Sequence, residues 1–347
     1  MFKLLQALIV VLLFFSTQNS FAVQISIESR FADGPWRSEL ATEPLVGQTV
    51  FLRVKKIEGA SIRWFRIQPN IDIRYNNAVW PWLPGAYKWK GFAEIEYSRI
   101  PLHQFDGKWE LKIFPGEDWS TNAMKPSIKN DSLLSYLKRR IIGTKSEINS
   151  FNYKNIGSFW FQVEIAKGSR IYKTPGIESK DKRGLSPKVF RISVKQGNDL
   201  IGNLTSYFNV PAVFGSTPYQ VKNYIGIDCA DVLMASYCKS KNLPISQDYN
   251  VAMLTSKFQS VVKSTINSGH PASVIRWGKD IQAGDFIAVK YSEGKQYQHI
   301  GALYNDQNEN GVLDGEDLIL HAGPDPLHFS KLKAGIFDGT VVILRAI

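Results

Sequence analysis

Cys229 sits in the run Gly226-Ile227-Asp228-Cys229-Ala230-Asp231-Val232-Leu233, which reads as a loop entering a helix. Asp228 is a good N-cap, and Asp231 three residues on completes a capping-box-like pair. Cys229 then falls in the first turn, where unpaired N–H groups and the helix dipole favour a thiolate. The adjacent carboxylates oppose it. The chain has five histidines: His103, His270, His299, His321 and His328. His299 opens one apolar, strand-like run and His321 ends another. Two neighbouring antiparallel strands can set both imidazoles on one face, against the tip of the Cys229 helix. A nucleophile, a base and an orienting group are the minimum for thiol acyl transfer.

The second cysteine, Cys238, lies nine residues further along the same expected helix. Nine residues rise about 13 Å and turn the azimuth by about half a turn. A disulfide needs Cα atoms within about 7 Å. The two thiols are therefore expected to stay unpaired, with Cys238 acting as a small buried hydrophobe.

Between the two histidine-bearing runs lies a stretch with oxygen donors at the spacing of a twelve-residue calcium loop. Asp306, Asn308, Asn310, Asp314 and Asp317 take positions 1, 3, 5, 9 and 12, and Val312 offers a backbone carbonyl at position 7. Gly311 takes the sharp-turn position. The same residues also read as a polar hairpin loop, since Asn-Gly and Asp-Gly are turn signals. A structural Ca2+ is one expectation here; the acyl-transfer chemistry itself requires no cofactor.

The elements that must position these residues come from two textures of sequence. Residues 23–125 alternate in the β manner: Val23, Ile25, Ile27 and Phe31, then Val50, Leu52 and Val54, then Trp109, Leu111 and Ile113. Pro and Gly punctuate them at 80–85 and 115–116. Eight of the nine Trp precede residue 161, which suits the core of a small sandwich or an aromatic binding face. Residues 126–197 add a short helix over 132–142, strands at 159–165 and 190–194, and a basic Gly/Ser/Pro-rich loop or linker over 167–188. A domain boundary is placed near Gly197. Residues 198–347 read as helices followed by four strand-like runs, the pattern of an α+β domain with an antiparallel sheet.

Residues 1–22 carry Lys3 as their only charge, then an apolar run, and end Ser20-Phe21-Ala22, as a secretory signal does. The run is too short for a membrane span. Removing Lys3 takes the net charge from +11 to 11 − 1 = +10. An exported basic protein suits peptidoglycan or another anionic cell-surface polymer, and export argues against nucleic acid. The expected location is periplasmic or extracellular. Oligomeric state is not legible.

Four motifs in order resemble the NlpC-type cell-wall cysteine peptidases over residues 198–347: Gly226-Ile227-Asp228-Cys229, Ala283-Gly284-Asp285-Phe286, His299-Ile300-Gly301-Ala302-Leu303-Tyr304 and Leu320-His321-Ala322. The resemblance implies a papain-like α+β fold, with Cys229 as nucleophile, His299 as base and His321 as orienting residue. It also implies attack on an amide of peptidoglycan stem peptides through a thioester. The family has a Tyr upstream of the Cys; here Ala212 stands in that place, and Tyr219 is the expected substitute. The same residues would also serve an amidase, acyltransferase or transglutaminase-like enzyme on a non-wall substrate. A non-catalytic wall-binding protein is a further alternative, as is an adhesin or toxin whose β-region carries the function.

Overall fold

The computed structural model describes residues 25–77, 89–91, 95–113, 156–182, 184–292 and 294–346. The expected signal segment, the helix at 132–142 and the punctuation at 80–85 and 115–116 lie outside the described residues. The described chain is mostly β, with a few short helices.

In the N-terminal part, Val50 and Leu52 alternate with less buried neighbours, and Val50–Arg53 forms the centre of a three-stranded antiparallel sheet with Glu28–Phe31 and Glu110–Ile113. A larger sheet runs in the order Ala41–Thr42, Phe190–Val194, Gly157–Lys167, Ser61–Pro69, Tyr97–Pro101. Leu52, Leu111 and Ile113 from the first sheet share one apolar core with Trp64, Phe161, Val163 and Ile192 from the second. The two sheets thus contribute to one core, as strands with one alternating apolar face do.

The stretch over 167–188 is not a bare loop. Arg170–Lys173 folds back on Gly157–Lys167 with Arg170 opposite Lys167. Gly168, at φ 57°, makes the two-residue turn between them.

The C-terminal part is a curled, seven-stranded antiparallel half-barrel. Its order is His270–Pro271, Gln259–Asn267, Gly339–Arg345, Phe286–Lys290, His299–Asn305, Leu318–His321, His328–Lys331. One face packs on the helix Cys229–Ser240, through Phe286, Ala288, Ile300, Ala302 and Leu320. The helix Leu200–Thr205, capped by Asp199, packs on the same helix.

Contacts cross residue 197 freely. Ile67, Trp160, Leu185 and Val189 belong to the same core as Leu204, Leu233 and Leu320. Val213–Phe214 pairs in parallel with Arg74–Asn76. Glu43 accepts from Lys239 Nζ at 2.7 Å and faces Arg191 and Lys195 at 3.7 and 3.8 Å. Arg74 is ion-paired with Asp325.

Candidate active site

The chain enters the Cys229 helix through a bridge between Ile227 and Ala212, with Val213 N–H donating to Ile227 O at 2.8 Å. Asp228, in extended backbone, caps the helix. Its Oδ1 accepts from the Ala230 and Asp231 amides at 3.1 and 2.9 Å. The expected capping box is not closed by Asp231. Ser216 takes that part, its Oγ accepting from Asp228 N–H at 3.1 Å and donating to Asp231 Oδ2 at 3.0 Å. An Asp at this position is one methylene shorter than the Glu or Gln that reaches back in a capping box.

Cys229 is partly exposed, and Cys238 is buried in the core; both thiols are free. Burial pushes the Cys229 thiol up, and the Asp228 carboxylate adds to that. The Ile300 amide, donating to the sulfur, works against both without overcoming them. The resting sulfur is thus a thiol, and the dipole of the first turn does not make it a thiolate.

The Ile300 contact brings Cys229 to the start of the His299–Asn305 strand. His299 Nε2 lies 3.0 Å from His321 Nδ1, and His321 Nε2 lies 2.9 Å from Ser330 Oγ. All three side chains are buried. Burial, then the nearby His328, lowers the pKa of His299 to about 3. The same two causes, then His299, hold His321 well below the usual imidazole range. Burial thus favours the neutral form of both rings, and Nδ1 is the His299 nitrogen that His321 does not engage.

Three features hold this pair. Phe337 packs against both rings, with centroids 5.3 and 5.4 Å away. His328, opposite His321 across the strand pair, packs its ring 4.2 Å from that of His321. Gly301 supplies the third, by what it lacks. A Cβ there would lie 2.7 Å from Ile319 Cγ2 and 2.9 Å from His321 Cβ, so any side chain would push the histidine strand away.

The Gly284-Asp285 motif serves the frame. Asp285 is buried and receives Arg345 Nε and Nη2 at 3.1 and 2.8 Å, fastening the strand Phe286–Lys290 to Gly339–Arg345.

Tyr219 lies in the short helix Pro218–Lys222 and packs against the cluster of Tyr75, Ile95, Val213 and Ile225. None of its described contacts is with Cys229, His299 or His321. Ala212 is buried and gives its carbonyl to Tyr75 N–H at 3.2 Å.

The 306–317 loop is held by hydrogen bonds of its own. Asp306 accepts from the Asn310 and Gly311 amides at 3.2 and 2.7 Å. Asn308 and Asn310 both donate to Asp314 Oδ2, at 3.0 and 2.6 Å. The Val312 amide donates to Asn310 Oδ1 at 2.8 Å. Asp317 is buried and accepts from Trp277 Nε1 at 2.8 Å and the Gln307 amide at 3.1 Å. Among the described residues no group of three or more His, Cys, Asp or Glu side chains is gathered to hold a metal ion. The side-chain amide nitrogens of Asn308 and Asn310 thus point at Asp314.

Ser216, His328 and Ser330 were not singled out by sequence reasoning. Ser330 lies in a four-residue strand, His328–Lys331, with no helix cap, motif or long alternation to flag it. His328 was visible only as one of five histidines.

Among the described residues no helix is long and apolar enough to cross a membrane. No family model matches the chain, and neither a curated protein nor a solved structure matches it.

Proposed function

We propose that this protein is an exported cysteine hydrolase with a papain-like, NlpC-type catalytic region, cleaving amide bonds in the peptide stems of peptidoglycan. The observation that carries this reading is the placing of Cys229 at the Ile300 amide, next in sequence to a buried relay in which His299, His321 and Ser330 are joined at 3.0 and 2.9 Å.

Because thiol and imidazole are both neutral at rest, His299 acts as a general base during attack and not as one half of a standing ion pair. The Cys229 proton passes to His299 Nδ1 as the S–C bond forms. The amide of Cys229, at the first position of the helix, has no intrahelical acceptor and is available to the developing oxyanion. The C–N bond then breaks as His299 returns the proton to the leaving amine. Water, deprotonated by His299, hydrolyses the thioester and regenerates the thiol. The net charge, 11 − 1 = +10 once Lys3 is removed, supports an anionic polymer as the substrate surface.

Mass spectrometry of fragments released from purified peptidoglycan tests the reading. Release by the wild type and none by Cys229→Ala is the expected result, and the fragment masses name the bond. Release by both proteins would remove Cys229 as nucleophile. Release by neither would remove the cell wall as direct substrate.

A further inference from the structure

The two hydrogen bonds behind His299 admit only two consistent proton arrangements. In one, His299 carries its proton on Nε2 and donates to His321 Nδ1, and His321 donates from Nε2 to Ser330 Oγ. His299 Nδ1 is then a free lone pair. In the other, every bond is reversed. The Ser330 hydroxyl donates to His321 Nε2, His321 Nδ1–H donates to His299 Nε2, and the His299 proton sits on Nδ1. The heavy-atom distances of 3.0 and 2.9 Å serve both arrangements. Only the first lets His299 take a proton from Cys229.

We infer that Ser330 is a positioning residue, whose oxygen accepts from His321 Nε2 and thereby permits the tautomers that make His299 a base. The geometry favours a residue in this role. Ser330 and His321 are each 1% exposed, so no solvent competes for His321 Nε2. A buried N–H without an acceptor costs about 1–3 kcal/mol, enough to decide between two tautomers of an imidazole. Removing the Ser330 oxygen would strand His321 Nε2–H and favour the proton on Nδ1, which turns the relay round. Register keeps Ser330 in place: it pairs with Ile319 across the antiparallel ladder, one diagonal step from His321. The ring of His328 packs against that of His321, with centroids 4.2 Å apart.

The inference rests on His299 being the base of the proposed hydrolase, but its test needs no substrate. The histidine tautomers are read from ring 15N chemical shifts in the full chain, and Cys229 reactivity from its rate of alkylation by iodoacetamide at pH 7, followed by peptide mass mapping. The expected wild-type result is His321 with its proton on Nε2. Ser330→Ala should move it to Nδ1 and slow Cys229 alkylation about tenfold or more. Ser330→Thr, which keeps an oxygen, should restore both. A wild-type His321 protonated on Nδ1 would overturn the inference, and this readout stands even if the Ala variant does not fold. A folded Ser330→Ala with its tautomer and alkylation rate unchanged would also overturn it. Failure of the hydrolase reading appears elsewhere, as fragment release that does not depend on Cys229.

Discussion

The carboxylates of the two halves are buried to similar depth and treated in opposite ways. In the N-terminal half, burial alone would raise Glu43, but Lys239, then Arg191 and Lys195, outweigh it and hold the group below its ordinary range. Glu164 follows the same pattern: burial raises it, and Arg99, Lys173 and Arg63 bring it down. Beside Cys229, burial raises both Asp228 and Asp231, and each adds to or is added to by carboxylate neighbours, Asp248 included. Their partners are the Ser216 hydroxyl and backbone amides, and no cation is among the causes acting on either. The first pattern supports the fold. The second suits the proposed role of His299, since positive charge next to the histidines would repel a proton accepted there.

The largest expected effect tests the supporting half of this contrast. Glu43→Ala leaves Lys239 and Arg191 half-buried without their carboxylate. A loss of about 2–4 kcal/mol is expected, somewhat below that of a fully buried pair because Glu43 is partly exposed. Chemical denaturation of the two proteins measures it; a loss under half a kilocalorie would break the contrast at its stronger end.

The acid limb comes next. His299 is about 3 in the folded chain against an ordinary 6.5. The unfolded chain therefore takes up a proton first as pH falls, and stability present above pH 6.5 is lost progressively towards pH 3. Calorimetric melting temperatures should fall over that window in the wild type and fall less in His299→Gln.

The smallest effect has the opposite sign. Asp231 is raised from an ordinary 3.8, so the folded chain holds its proton while the unfolded chain releases it. Stability from this group is complete below pH 3.8 and declines as pH rises. Asp231→Asn keeps the acceptor for the Tyr249 amide and removes the titration. It should be about 1 kcal/mol more stable than the wild type at pH 8, and no more stable at pH 4. A uniform loss at both pH values would mean that the carboxylate is needed as such.

The parts of the site with a local signature were legible in the residues. Asp228 and the apolar run behind it mark the start of the Cys229 helix, and the structure ends that helix at Ser240 as its pattern suggests. The runs at 286–290, 299–305 and 318–321 form strands because each is apolar, β-rich and bounded by turn residues. Gln259–Asn267 was missed for the converse reason: it lies next to the sheet edge, mostly exposed, with little apolar alternation to announce it. Ser330 was missed because its neighbour is set by strand register and not by sequence spacing. Tyr219 is the expected substitute because it follows Pro218, as the family's Tyr follows a Pro, and in the structure it packs against the apolar cluster of Tyr75, Ile95, Val213 and Ile225.

The pairing of Arg74–Asn76 with Val213–Phe214 has a consequence for inheritance. A catalytic region that closes its own sheets can be copied, shuffled and attached to new partners. Here, severing the chain at residue 197 would strip a neighbour from Val213–Phe214, remove Ile67 and Trp160 from the core behind the Cys229 helix, and leave Lys239 without Glu43. The two halves are therefore expected to travel through evolution as one gene segment, and their substitutions to be selected together.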